Sequence, residues 1–172
     1  MLTVSIAQKE HGPTIKNISE KAKVFSKVEI DTVSELWEEY LTKGEASGYF
    51  FLISLEDDVI TGFTCYGPHA LTAGAFDIYW IAVDPDFQNR GIGRALILRV
   101  EEEVEKLHGN LLILETSSTP AYQPARDFYL RSGFTLEATI HDFYSPGDHL
   151  VIFTKHVPHR KLLHENHLYQ QA

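Results

Sequence analysis

The hydrophobic pattern changes period several times along the chain, and each change marks an element. Up to about Gly48 the apolar positions recur at helical spacing. Asn17 or Ser19 is placed to cap a helix running through Lys27. Asp31 is placed to cap a second, whose Val33, Leu36, Trp37, Tyr40 and Leu41 share one face. From Tyr49 the pattern becomes β-rich. Residues 49–55 and 59–66 read as a hairpin turning at Glu56, Asp57 and Asp58. After the Gly67-Pro68 break, Ala75–Val83 reads as a third strand, followed by a polar loop over residues 84–91. Ile92, Leu96, Val100 and Val104 then recur every fourth position and predict a helix to about Leu107. Residues 111–115 are almost entirely apolar, as in a strand covered on both faces. Pro124 suits the first turn of another helix that stops at Gly133. Residues 134–142 and 149–156 close the pattern as a second hairpin. Strand, helix, strand and helix between two hairpins predict a mixed α/β (α+β) sheet.

Composition narrows the class. The 172 residues suit one domain, over residues 1–157, with a polar tail over residues 158–172 that carries His159, His164 and His167. A content of 44% hydrophobic and 23% charged residues excludes a largely disordered chain. The single cysteine, Cys65, excludes an intramolecular disulfide and a multi-cysteine zinc site, and its strand neighbours make it a buried small hydrophobe. No metal is expected. The net charge of −9 argues against a nucleic-acid partner. No apolar run approaches the ~18–20 residues that span a bilayer, and no leader pattern opens the chain, so a cytoplasmic protein without membrane attachment is expected. Between Gly44 and Asn89 there is no Lys or Arg; Arg90, Arg94 and Arg99 then arrive together. A basic spot in an acidic chain suits a small anionic ligand.

That spot coincides with Gln88-Asn89-Arg90-Gly91-Ile92-Gly93-Arg94, a polar loop running into a helix start. First-turn amides lack internal partners and, with the helix dipole, favour a phosphate or pyrophosphate. Gly91 and Gly93 keep Cβ atoms out of its way, and Arg90 and Arg94 add charge. A P-loop would need four residues between its glycines and a following Lys-Ser/Thr. A dinucleotide fingerprint would need a small residue where Leu96 stands.

Residues 88–93 resemble the Q/R-x-x-G-x-G/A signature of the GNAT superfamily of acyl-CoA-dependent N-acetyltransferases. Downstream, Ala125-Arg126-Asp127-Phe128-Tyr129 with Ser132-Gly133-Phe134 is similar to that family's A-x-x-F-Y-x-x-x-G-F helix and turn. The resemblance is detailed over residues 75–134. It implies a GNAT-like, mostly antiparallel sheet splayed at its centre with helices on both faces. It also implies acetyl-CoA as cosubstrate and direct acetyl transfer to a primary amine. The backbone of Ile81, Ala82 and Val83 would pair with the pantetheine arm. Gln88, Asn89, Arg90, Gly91, Ile92, Gly93 and Arg94 would hold the pyrophosphate. Tyr129 stands where many members place the acid that protonates the CoA thiolate, and Glu115 where ribosomal-protein N-terminal acetyltransferases place the base. One departure is Tyr122, where many members have an Asn that contacts CoA.

An ammonium substrate must lose a proton before it attacks. Glu115, Asp77 and His141 are the candidates, ranked in that order. The end of an apolar strand suggests a buried Glu115, which would strengthen it as a base. Backbone amides near residues 81–83 suit an oxyanion. The acidic surroundings favour a cationic acceptor, whether a small molecule or a peptide or protein. Tyr79, Trp80, Tyr122 and Tyr144 are candidates for its pocket. A homodimer is one arrangement the resemblance allows. The rival reading is a non-catalytic acyl-CoA-binding sensor or assembly module.

Overall fold

The computed structural model describes residues 1–157; the predicted polar tail lies outside the described residues. Seven strands form one sheet: β1 (Leu2–Ile6), β2 (Phe50–Glu56), β3 (Val59–Pro68), β4 (Ala75–Val83), β5 (Leu111–Ser117), β6 (Thr135–Ser145) and β7 (Asp148–His156). Their order is β1-β2-β3-β4-β5-β7-β6, and every neighbouring pair is antiparallel except β4–β5. Four helices cover it: α1 (Gly12–Lys21), α2 (Lys27–Lys43), α3 (Ile92–Lys106) and α4 (Gln123–Arg131).

Two apolar layers hold the helices on opposite faces. On one, Leu96, Ile97, Val100 and Val104 of α3 pack with Phe76, Ile78, Leu112 and Leu114. On the other, Ile15 and Ile18 of α1 and Val33 and Trp37 of α2 meet Phe51, Ile53, Phe63 and Cys65. The Trp37 ring meets Phe51 edge-on, with centroids 5.0 Å apart. Cys65 is fully buried, and burial pushes its thiol well above the usual range.

The N-terminal region departs from the pattern read along the chain. Leu2–Ile6 is an edge strand, and α1 begins at Gly12 and ends at Lys21, six residues before the predicted end. Ser26, not Asp31, caps α2: its hydroxyl accepts from the Glu29 N–H, and the Glu29 carboxylate accepts from the Ser26 N–H at 2.7 Å. This reciprocal box satisfies two otherwise orphaned donors, a stronger stop than Asp31 offers inside the helix.

The parallel pair positions the site. β4 and β5 are in register only from Ala75–Leu111 to Ile78–Leu114. At the next residue the β3–β4 register slips: Tyr66 faces Ile78 and Cys65 faces Trp80, leaving Tyr79 as an extra residue. Such a bulge bends its strand and raises the local twist. Past it, β4 stays with β3 and β5 with β7, so the sheet parts at its centre.

Two packing predictions follow from this arrangement. Leu96 is fully buried whereas Leu98, on the same helix, is 47% exposed. Leu96→Ala should cost about 2–5 kcal/mol of unfolding free energy in a urea titration, and Leu98→Ala no more than about 0.5 kcal/mol. At Gly93 an added Cβ would stand 2.8 Å from Phe128 Cζ. Gly93→Ala should therefore destabilise by about 1–3 kcal/mol, and the cost should shrink when combined with Phe128→Leu.

Candidate active site

Where the sheet parts, a cavity of about 780 Å³ opens. Its walls come from four places: residues 77–81 of β4, residues 113–117 of β5, the turn between α1 and α2 with Val24, Phe25, Ser26 and Glu29, and the side chains of His69, Tyr122, Tyr129, Tyr144 and Asp148. All four aromatic residues expected at an acceptor pocket, Tyr79, Trp80, Tyr122 and Tyr144, line it. Along the gap, the edge of Ile81, Ala82 and Val83 that faces β5 has no partner strand among the described residues. Its free N–H and C=O groups offer the same docking edge as an outer strand.

The loop after β4 is shaped by two left-handed residues. Asn89 has φ +62° and Gly91 φ +79°, and α3 starts directly after Gly91. A left-handed residue followed by a helical one turns successive N–H groups into one concavity, a nest suited to an anion. Space around Gly91 is open, so its backbone conformation is what demands glycine. Gly93 has a different reason, the Phe128 ring lying against it. Ile92 is buried beneath the loop, while Gln88, Asn89, Arg90 and Arg94 are exposed. Arg90 sits over the Phe87 ring and pairs with Glu56, its Nη1 3.3 Å from Oε2.

Tyr129 comes from α4. Its ring is 7% exposed and packs among Phe128, Phe134 and Phe153, with centroids 5.7–6.2 Å away. Burial pushes its phenol up to about 12, so it stays protonated at neutral pH. Arg126 of the same helix donates to the carbonyls of Ser117 (2.5 Å) and Thr119 (3.0 Å), fixing the β5–α4 connection.

Glu115 differs from expectation. Its side chain is exposed on the cavity wall, because the parting of the strands removes the neighbour that would have covered it. The other three carboxylates of the lining have partners. Asp77 is 2.8 Å from His69 Nδ1, and Asp148 accepts from the Ser117 hydroxyl at 2.6 Å. Glu29 completes the cap of α2. The Glu115 side chain makes no hydrogen bond or ion pair among the described residues. Its charge instead acts on Tyr144, whose phenol is pushed up first by burial and then by Glu115. His141 lies outside the cavity, exposed, with its ring 4.6 Å from that of His149.

Tyr122, the departure from the family pattern, has a structural task. Its hydroxyl lies 3.1 Å from the Val24 carbonyl and 3.0 Å from Glu29 Oε1, tying the β5–α4 connection to the α1–α2 turn. Sequence reasoning missed His69, Glu29 and Asp148. Glu29 carried a local signal in its capping-box spacing from Ser26, whereas His69 and Asp148 enter through contacts 8 and 31 residues away that no pattern marks.

Comparison with known proteins agrees with this geometry. The family model for an acetyltransferase (GNAT) domain matches residues 46–136, over half of the 172. The [ribosomal protein bS18]-alanine N-acetyltransferase of Escherichia coli strain K12 is 42% identical over 69 residues, 40% of this chain and 45% of that protein. The chain thus matches less than half the length of that curated relative. The Salmonella typhimurium strain LT2 protein of the same name is 32% identical over 150 residues, 85% of this chain and 88% of that one. A crystal structure of a GNAT-family protein from Desulfovibrio desulfuricans superposes with a TM-score of 0.88 at 38% identity, covering 92% of this chain and all of that one. The parted sheet, the glycine nest and the buried tyrosine thus stand in a chain that belongs to the GNAT acetyltransferase family.

Proposed function

We propose that residues 1–157 form a single N-acetyltransferase domain that moves an acetyl group from acetyl-CoA directly to a primary amine, with Glu115 as base and Tyr129 as acid. The observation that carries this reading is the cavity at the parted strands, lined at once by an exposed, unpaired carboxylate and a buried, protonated phenol. The cosubstrate supplies an activated acetyl group. The chain fits it: the nest at Gly91 suits a pyrophosphate, and the open edge of residues 81–83 suits the amide groups of a pantetheine arm. Arg90 and Arg94 complete the anion site. The exposed Arg90–Glu56 pair is worth about 0–1 kcal/mol, little enough to be exchanged for a phosphate.

Glu115 takes a proton from the bound ammonium, and the freed lone pair forms the new C–N bond. N–H groups on the open edge polarise the thioester carbonyl. As the C–S bond breaks, the sulfur takes the Tyr129 proton, and the second proton of the nitrogen restores the phenol, leaving a neutral amide, a thiol and one proton released from Glu115 to solvent. Burial suits Tyr129 to that step, since the phenol holds its proton until a thiolate forms beside it.

Among the described residues the cavity lining holds four carboxylates and no Lys or Arg, which favours a cationic acceptor. The 32% identity to a ribosomal-protein alanine N-acetyltransferase makes a protein α-amine the first acceptor to test.

Titration calorimetry with acetyl-CoA, followed by thiol-release assays with an alanine-initiated peptide, spermidine and an aminoglycoside, tests the reading. Tyr129→Phe and Glu115→Gln should each lower kcat by about 10²-fold or more while leaving acetyl-CoA affinity within about twofold. Binding with no turnover on any acceptor would instead support an acyl-CoA sensor. A second check uses alkaline stability. Below pH ~10 the Tyr129 phenol is protonated in both folded and unfolded chains. Between pH 10 and about 12 only the unfolded chain loses the proton, so stability falls. Tyr129→Phe should flatten that part of the stability–pH curve.

A further inference from the structure

The cavity contains a second proton-accepting group. His69 leaves β3 directly after Pro68 and is held in place by its backbone: its N–H donates to the Ala75 carbonyl at 2.8 Å, and its carbonyl accepts from the Thr72 hydroxyl at 2.9 Å. Its ring is fixed by Asp77 of β4, with Nδ1 2.8 Å from Oδ2. The Asp77 side chain is 16% exposed and the His69 side chain 47% exposed. Both line the same cavity as Glu115 and Tyr129.

A carboxylate on Nδ1 fixes the imidazole as the Nδ1–H tautomer, which leaves the Nε2 lone pair free to accept a proton. Glu115 stands exposed on the cavity wall rather than buried. An ordinary carboxylate, with a pKa of ~4.3, is a poor acceptor for an α-ammonium at ~8, whereas an imidazole at ~6.5 is better matched. Its half-exposed ring can also pass the proton on to water.

We propose that His69, positioned by Asp77, takes the first proton from the acceptor ammonium at Nε2, directly or through one water, and releases it to solvent. The proposal rests on the acetyl-transfer reading and divides its proton traffic in two. The ammonium loses one proton to His69 and becomes the nucleophile. The second leaves the nitrogen to Glu115 as the C–N bond forms. Tyr129 protonates the departing sulfur and is then reprotonated by way of Glu115. The balance is one amide, one thiol and one proton released.

The charged and titratable groups that line the cavity with His69 are Asp77 and Tyr79 from β4, Glu115 from β5, Tyr122 from the β5–α4 connection, Tyr129 from α4, Tyr144 from β6, Asp148 from β7 and Glu29 from α2. Four carboxylates and no Lys or Arg of the described residues share this lining with His69.

The experiment measures kcat/KM against pH, from 5.5 to 9.5, for the full chain, His69→Gln, Asp77→Asn and Glu115→Gln. It uses acetyl-CoA with an alanine-initiated peptide, and acetyl-CoA affinity is measured for each variant. His69→Gln should lose about 10- to 100-fold at pH 7, and the deficit should close as pH rises past the amine's own pKa of ~8, where free amine no longer needs the first base. Asp77→Asn should give the same shape with a smaller loss, and Glu115→Gln a loss that persists at pH 9.5. A His69→Gln deficit that is absent, or equal at every pH, with acetyl-CoA affinity kept, overturns the dyad and leaves the acetyl-transfer reading standing. Absence of transfer by the unaltered chain overturns that reading, and the dyad with it.

Discussion

The parting of β4 from β5 after four paired residues is the constraint on which the other features depend. A parallel pair would ordinarily continue, since each further residue satisfies backbone N–H and C=O groups that otherwise stay unpaired. Here the extra residue at Tyr79 changes the direction of β4 immediately after Ile78, the last position it shares with β5. β3 follows β4, helped by the Thr64 hydroxyl donating to the Trp80 carbonyl at 2.8 Å, and β7 follows β5. The two halves of the sheet stay intact while the seam between them opens. Unpaired backbone, an uncovered Glu115 and access to the Tyr129 phenol are consequences of one bulge rather than separate inventions.

The motif glycines contribute to the same result from the far side of the sheet. Gly91 permits the left-handed turn that aims the first amides of α3 at the loop, and Gly93 admits the Phe128 ring. That ring belongs to α4, and the next residue is Tyr129. The fit of α4 onto the start of α3 therefore sets where the phenol stands relative to the anion nest. Two stretches that look like independent signatures along the chain are two sides of one packing contact.

How much of this was legible in the chain depended on the range of the interaction. Ala75–Val83 and the stripe from Ile92 to Val104 were readable because their periodicity is local and their breaks are marked by Gly and Pro. Leu2–Ile6 was missed although Leu, Val and Ile alternate there with Thr and Ser. A strand of five residues competes poorly with the longer helical pattern behind it. The capping box at Ser26 and Glu29 was present in the sequence too, and was passed over in favour of Asp31. The exposure of Glu115 could not be read in this way. An apolar strand announces cover on both faces, but where its parallel neighbour departs is fixed by a register slip in a different strand pair. The His69–Asp77 contact joins a loop to a strand, and neither residue stands in a pattern that points to the other.

The acidity of the region raises a problem that the fold itself resolves. Asp84 and Asp86 lie at the start of the loop that carries the anion nest, where two carboxylates would repel a phosphate. Lys21, the last residue of α1, reaches both, its Nζ 2.9 Å from Asp84 Oδ2 and 3.1 Å from Asp86 Oδ2. Burial pushes the Asp84 carboxyl up, but the Lys21 ammonium and the Asp86 N–H outweigh it and hold the group below the usual carboxylate range. Asp84 thereby stays ionised and spends its charge on the cation and on the turn it caps. The same contact fastens α1, and with it the α1–α2 turn that Tyr122 binds on the proposed acceptor side, to the loop on the proposed cosubstrate side. α1 is thus the mechanical link between the two halves of the site. Its length matters for that reason: a helix continuing to Lys27, as the spacing first suggested, would carry Lys21 in mid-helix and leave no turn to close over the cavity.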